Sequence, residues 1–224
     1  MILRPIIRTL FFIAALAALL FVPAGTIHWR GGQIFIAAMS AGGLLMGLWL
    51  ARYDPALLKE RIGSPDRKNN VADRIVMPLL AVGFCAWLVF MALDARWHGL
   101  ALMPAWLNYA GGVAIVIGFA GVLRVFRENS FASREVKVQK DRGQRVIVTG
   151  PYAIVRHPLY SAASFTYFAI PFALGSWAGL LGVPLLILGL AIRALFEERV
   201  LKEQLEGYGD YMAKVRYRFL PYVW

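Results

Sequence analysis

An all-α integral membrane protein of about six transmembrane helices, the last two paired in a short helical hairpin, is the fold this sequence predicts. Three observations predict it. Of the 224 residues, 59 % are hydrophobic and only 17 % charged, an apolar share well above that of soluble domains. Six apolar runs approach the ~20 residues that cross a hydrocarbon core. Finally, with the N-terminus inside, 22 of the 24 Lys and Arg fall on inner segments, and only Arg30 and Arg96 lie outside. That split follows the positive-inside rule and places both termini in the cytoplasm, as in a cell inner membrane.

The runs lie near Ile6–Val22, Gln33–Leu50, Ile75–Leu93, Ala105–Val125, Leu159–Leu174 and Trp177–Ile192. In the first, Arg4 and Arg8 precede an apolar core, as in a signal peptide. "VPAGT" is a poor cleavage site, however, so the segment is expected to remain as a span. In the second, Gly43 and Gly47 have the small-xxx-small spacing that lets helices approach, as do Gly175 and Gly179 in the hairpin. The third holds the single Cys85, which excludes an intrachain disulfide and a Cys-based zinc site. The fifth starts at Pro158, at home in a first helical turn because its missing N–H costs nothing there. Only Gly175 and Ser176 separate the fifth run from the sixth, hence a tight hairpin of two short legs. Trp29, Trp97, Trp106 and Trp177 all fall at the expected outer boundary, where indole rings favour the interface.

Two parts follow: residues 1–126 with four spans, and residues 127–224 with a polar loop, the hairpin and a polar tail. The net charge of +11 is accounted for by topology, and no basic helix or aromatic-interleaved groove points to nucleic acid. No repeat, low-complexity tract, GxGxxG or P-loop pattern occurs. Polarity concentrates in Arg127–His157 and Arg193–Trp224, and the hairpin brings these two segments together at one face. The loop sequence "VKVQKDRGQRVIVTG" alternates in character and suits either an extended strand pair or an ordered irregular lid. The tail begins as a continuation of the sixth helix; Gly207 and Gly209 break it, and Pro221 ends any later turn.

The stretch "GPYAIVRHPLY", residues 150–160, starts the fifth helix. Helix N-termini attract anions, and Arg156 and His157 strengthen that preference. The plainer reading is that Arg156 obeys the charge rule and His157 hydrogen-bonds its loop. In the second cluster, Arg193 and Glu197 share a helical face at i, i+4, with Glu198 adjacent. Two carboxylates at this helix end oppose the dipole, which a cation-binding site would explain and a solvated helix end would also allow. Tyr208, Tyr211, Tyr217 and Tyr222 read as interfacial anchors. Taken together, the clusters describe a bipolar pocket, better suited to a zwitterionic or sulfonium cofactor than to a plain lipid.

"GPYAIVRHPLY", an apolar hairpin, "EERVL" and the tyrosine-bearing "GYGDYMAKVRYRFLP" resemble the isoprenylcysteine carboxyl methyltransferase and phospholipid methyltransferase superfamily of integral membrane enzymes, from Asn129 to Pro221. The resemblance implies an S-adenosylmethionine-dependent methyltransferase, with cofactor bound at the cytoplasmic face and a lipophilic acceptor entering from the bilayer. It implies cofactor contacts from Gln139, from the backbone-rich segment Gln144, Arg145, Val146 and Ile147, from Tyr152, and from His157, Pro158, Leu159 and Tyr160. Glu197 matches the cofactor-binding glutamate and Arg193 the arginine credited with acceptor binding. On this reading Arg156 and His157 hold the cofactor's carboxylate end. A carboxylate or thiolate acceptor needs no general base, whereas an amine must lose a proton, with Glu198 or His157 assisting. The acceptor stays open among a prenylated cysteine, a phospholipid amine, a small thiol and another lipophilic acid. Two other readings compete. An NADPH-dependent sterol-type reductase has a tail similar to "VRYRFLPYVW", although this chain is short for that class. A non-catalytic lipid-binding protein would bind no cofactor.

Overall fold

The computed structural model describes residues 3–63, 72–98 and 103–224, with backbone alone for 3–9, 72 and 98. Eight α-helices order these residues: α1 Leu3–Ala24, α2 Arg30–Tyr53, α3 Pro55–Ile62, α4 Met77–Leu93, α5 Ala105–Glu128, α6 Pro158–Leu174, α7 Val183–Gln204 and α8 Tyr208–Lys214. Single π-helical turns, Ala72–Val76 and Asp94–His98, extend α4 at both ends. No strand occurs among the described residues, so the alternating loop takes the irregular one of its two expected forms, with 3₁₀ turns at Lys140–Arg142 and Gly150–Ala153.

Among the described residues, four helical stretches are long and apolar enough to cross a membrane: Arg30–Tyr53, Asp73–Trp97, Ala105–Glu128 and Ala178–Gln204. The apolar part of α1, Leu10–Ala24, and the 17-residue α6 are shorter. The expected hairpin is therefore unequal. Gly175, at φ 79°, caps α6 in the left-handed region that glycine enters without a Cβ penalty. Its second leg runs past Ile192 to Gln204, the continuation expected for the start of the tail, because residues 193–204 include good helix formers that find partners at the bundle end. In the tail Gly207, at φ 76°, breaks the chain as expected, whereas Gly209 lies inside α8.

Without a hydrophobic drive between helices in lipid, close packing has to come from small residues. A Cβ on Gly111 of α5 would lie 2.3 Å from the Ala173 backbone nitrogen of α6, and one on Gly31 of α2 would lie 2.6 Å from the Leu174 carbonyl oxygen. The expected pair Gly43 and Gly47 meets nothing within 4 Å. The reason is angular: Gly42, whose Cβ would meet the Phe119 ring at 2.2 Å, turns inward, and each residue rotates about 100° from its neighbour. Around these contacts Leu20, Phe35, Leu88, Met91, Ile115, Ile170 and Leu174 form the fully buried centre.

The ends of the bundle differ. At one, Ser176 Oγ donates to Asp94 Oδ2 (2.6 Å), Asn108 Nδ2 to the Phe172 carbonyl (3.0 Å) and Trp97 Nε1 to the Pro23 carbonyl (3.1 Å). Trp97 and Trp106 are exposed there as boundary residues should be, but Trp29 is buried against Phe21. At the other end, α3 meets the long loop: Arg61 Nη1 donates to the Ala132 carbonyl (2.8 Å), and Lys137 pairs with Glu60 at 2.9 Å. Of the basic residues expected inside, Arg67 and Lys68 lie outside the described residues, as do the side chains of Arg4 and Arg8.

Candidate active site

The long loop and the tail meet as the hairpin requires, through backbone as well as side chains. The Arg156 N–H donates to the Tyr217 carbonyl and the His157 N–H to the Arg218 carbonyl, both at 2.9 Å. Beneath this short pairing sits Glu198, 5 % exposed. Its Oε1 accepts from Arg156 Nε (2.7 Å) and His157 Nε2 (3.1 Å), and its Oε2 from Arg218 Nε and Nη2, both 3.0 Å. His157 occupies the N-cap position of α6 without capping it, because its ring is turned to Glu198. The anion that the Arg156–His157 pair attracts is thus supplied by the protein itself. Stacking completes the layer: the His157 and Tyr160 rings lie 5.4 Å apart at 11°, with Phe219 edge-on to both.

One turn away, α7 presents a second, more open set. Tyr160 Oη donates to Glu197 Oε2 (2.6 Å) and itself accepts from Arg193 Nη1. Glu197 keeps 28 % of its side chain exposed, while Arg193 keeps 6 %. Arg193 also reaches the Arg134 carbonyl through Nη2 (2.6 Å) and stands 3.5 Å from Asp73 Oδ1. Asp73, in the π turn before α4, accepts the Val136 N–H on Oδ2 at 2.8 Å and so fixes the loop to the bundle. Adjacent carboxylates on one helix consequently part company: Glu198 turns into the protein, and Glu197 faces outward.

Between loop, α6, α7 and α8 lies a cleft of about 810 Å³, counting its open mouth. Of the residues singled out in the sequence, Gln144, Arg145, Val146, Ile147, Tyr152, Arg156, His157, Pro158, Leu159, Tyr160 and Glu197 line it. Gln139, Arg193 and Glu198 do not. Gln139 is 2 % exposed and braces the loop: its N–H donates to Gln144 Oε1 (2.7 Å), its Nε2 to the Phe131 carbonyl (2.9 Å), and its Oε1 accepts from Arg142 at 2.5 Å. Sequence reasoning missed the loop residues Asn129, Phe131, Ala132, Ser133, Glu135 and Lys137 and the helix residues Leu201 and Leu205 in the lining, and took Tyr208 and Tyr211, which also line it, for interfacial anchors. An i, i+4 reading from Glu197 would have found Leu201.

Residues 145–147 line the cleft outside any helix, and their backbone N–H groups make no hydrogen bond to any described residue. Leu201, Leu205, Tyr208 and Tyr211 line it as well, and Val146 packs against the cluster they form. Burial pushes the phenols of Tyr152, Tyr208 and Tyr211 up, so they stay neutral across the physiological range; at Tyr208 the nearby Glu197 and Glu198 charges add to the effect. Tyr152 is held by Asn129 Nδ2, which donates to its oxygen at 2.8 Å, and its carbonyl accepts from Tyr211 Oη at 2.8 Å. Below the loop, burial beside Arg134 and Arg193 pushes the Arg61 guanidinium down to about 10. Among the described residues no cluster of His, Cys, Asp or Glu is arranged to hold a metal ion.

Compared with known families, residues 106–208 match the phospholipid methyltransferase family. The matched stretch opens in α5 and ends at the first residue of α8, and so contains the loop, the whole hairpin and both glutamates. No curated protein sequence matches the chain.

Proposed function

Because residues 106–208 carry the phospholipid methyltransferase family, within the integral membrane methyltransferases that also include the isoprenylcysteine carboxyl methyltransferases, we propose that this protein transfers a methyl group from S-adenosylmethionine to a lipophilic acceptor at the cytoplasmic membrane face. The observation that carries the reading is the cleft itself. It opens at the bundle end where the two polar segments meet, and it combines a partly exposed carboxylate, neutral phenols and a row of unpaired backbone donors.

Those groups fit S-adenosylmethionine. A purine edge takes hydrogen bonds from the free N–H groups of residues 145–147, and its face packs on the Tyr208 and Leu205 side. Glu197 receives the amino or ribose groups. The carboxylate end, assigned from sequence to Arg156 and His157, goes to Arg145, because Arg156 and His157 already hold Glu198 and Lys137 is paired with Glu60 and Glu135. Glu198 and Gln139 are then positioning residues, one for the tail and one for the loop.

When bound, the cofactor supplies an activated methyl on a sulfonium, so the protein's share is alignment, desolvation and electrostatics. Tyr160 is fixed between Arg193 and Glu197 and orients whatever polar head arrives beside it. The tail, strapped over Arg156 and His157, keeps bulk water from that side. A carboxylate or thiolate acceptor requires no base. An amine acceptor releases its proton to Glu197, the one carboxylate of the adjacent pair open to the cleft. Incubating reconstituted protein with methyl-labelled S-adenosylmethionine, extracted lipids and small thiols should yield a labelled product, lost in Glu197→Ala. No label in any acceptor would contradict the proposal.

A further inference from the structure

Beyond α8 the tail closes into a loop. The Arg218 and Phe219 N–H groups both donate to the Trp224 carbonyl oxygen (2.7 and 3.1 Å), and the Val223 and Trp224 N–H groups to the Leu220 carbonyl, both at 3.2 Å. This closure holds Tyr222 at φ 65°, the one non-glycine residue in the left-handed region among the described residues. Side chains rarely take that conformation, because the Cβ crowds the backbone. The strain gains no burial here: Tyr222 is 88 % exposed, and Leu220 and Val223 beside it are 57 % and 72 % exposed. The Tyr217 ring, 5.2 Å away, steadies the Tyr222 ring in that outward position. A strained backbone that presents three adjacent apolar side chains outward marks a surface with a partner.

Depth and charge say which partner. Phe219, in the same loop, packs on Tyr160, Leu190 and Ala194, and its carbonyl accepts from Ser161 Oγ at 2.5 Å. Leu190 and Ala194 flank the point where the apolar run of α7 gives way to Arg193. The loop is therefore level with the edge of the hydrocarbon, the zone that tyrosine and tryptophan rings favour. Residues 211–224 also hold three cations, Lys214, Arg216 and Arg218, and no acid. Arg218 is taken by Glu198, whereas Lys214 and Arg216 are exposed and form no ion pair with a described residue.

We propose that the 218–224 loop docks on the headgroup layer of the membrane, with Leu220, Tyr222 and Val223 in the interface and Lys214 and Arg216 on anionic lipid headgroups. The contact does more than anchor the tail. The Tyr217 and Arg218 carbonyls accept from the Arg156 and His157 N–H groups, and the Arg218 guanidinium grips Glu198. Arg156 and His157 line the cleft. Seating the loop on anionic lipid thus steadies one wall of the cleft, whatever ligand fills it.

The test uses the full chain in nanodiscs of phosphatidylcholine, alone or mixed with phosphatidylglycerol. Hydrogen exchange in peptides covering 150–160 and 215–224 should slow about tenfold or more on adding phosphatidylglycerol, two surface cations contributing roughly fivefold each. High salt should remove that gain. Lys214→Gln combined with Arg216→Gln should abolish the difference and leave the rate in phosphatidylcholine unchanged. A nitroxide on Val223→Cys, in a Cys85→Ser background, should meet oxygen more readily than a water-soluble nickel chelate. Preferential access of the chelate in both nanodiscs would put the loop in water and overturn the docking. Equal exchange in the two lipids, or a phosphatidylglycerol effect that survives the double Gln variant, would overturn the part given to anionic lipid. Slowing confined to the tail peptide would overturn the link to the cleft.

Discussion

Glu198 gathers Arg156, His157 and Arg218 around one buried carboxylate, so its removal would strand two buried groups rather than merely free them. Breaking a buried ion pair by deleting one partner costs about 3–5 kcal/mol, and Glu198→Ala should lower the thermal unfolding midpoint accordingly. Glu197→Gln should leave that midpoint nearly unchanged and act on cofactor affinity instead. The same scale carries a pH prediction. Burial raises the phenol pKa of Tyr152, Tyr208 and Tyr211 above the ordinary value of 10. Their contribution to stability is therefore complete below about pH 10 and is lost as pH climbs toward the folded values, because the unfolded phenols ionise first. Unfolding midpoints followed from pH 8 to 11 should fall at the alkaline end, and less steeply in Tyr208→Phe. None of this division between the two glutamates could be read from "EERVL". Neighbouring residues on a helix point about 100° apart, and nothing in a single sequence says which of them faces inward. Asp73 was equally hidden, since its partners Val136 and Arg193 are far away along the chain.

Helix packing separates glycines that look alike in sequence. Gly111→Ala would place a methyl 2.3 Å from backbone of α6, where nothing can yield, and should abolish the α5–α6 approach and with it folded protein in the membrane. Gly43→Ala and Gly47→Ala meet open space and should be neutral or stabilising by about 0.5–1 kcal/mol from helix propensity alone. The small-xxx-small spacing was visible at 43 and 47, but spacing reports only that two residues share a face, not which face. Hairpin and Pro158 start were legible because turn and cap chemistry are local. The length of α7 past Ile192 was legible only as a continuation, since its polar end is stabilised by contacts with the loop and tail.

At the scale of the whole molecule, two sequence-distant polar segments and a family-matched core converge on one end of a bundle whose long apolar helices suit a membrane. Charge asymmetry along the chain forecast that convergence, because loops of one sign are gathered on one side. The composition of the cleft was partly forecast: most residues singled out from the motif line it, while Gln139, Arg193 and Glu198 act from behind it. Motif matching finds residues near a site but does not tell a wall from its buttress. The central claim is tested most directly by equilibrium binding of labelled S-adenosylmethionine to the purified, reconstituted protein and to Glu197→Ala and Arg145→Ala. Saturable binding by the parent protein, weakened about tenfold or more in both variants, is the predicted result. No binding, or the same affinity in all three proteins, would contradict it.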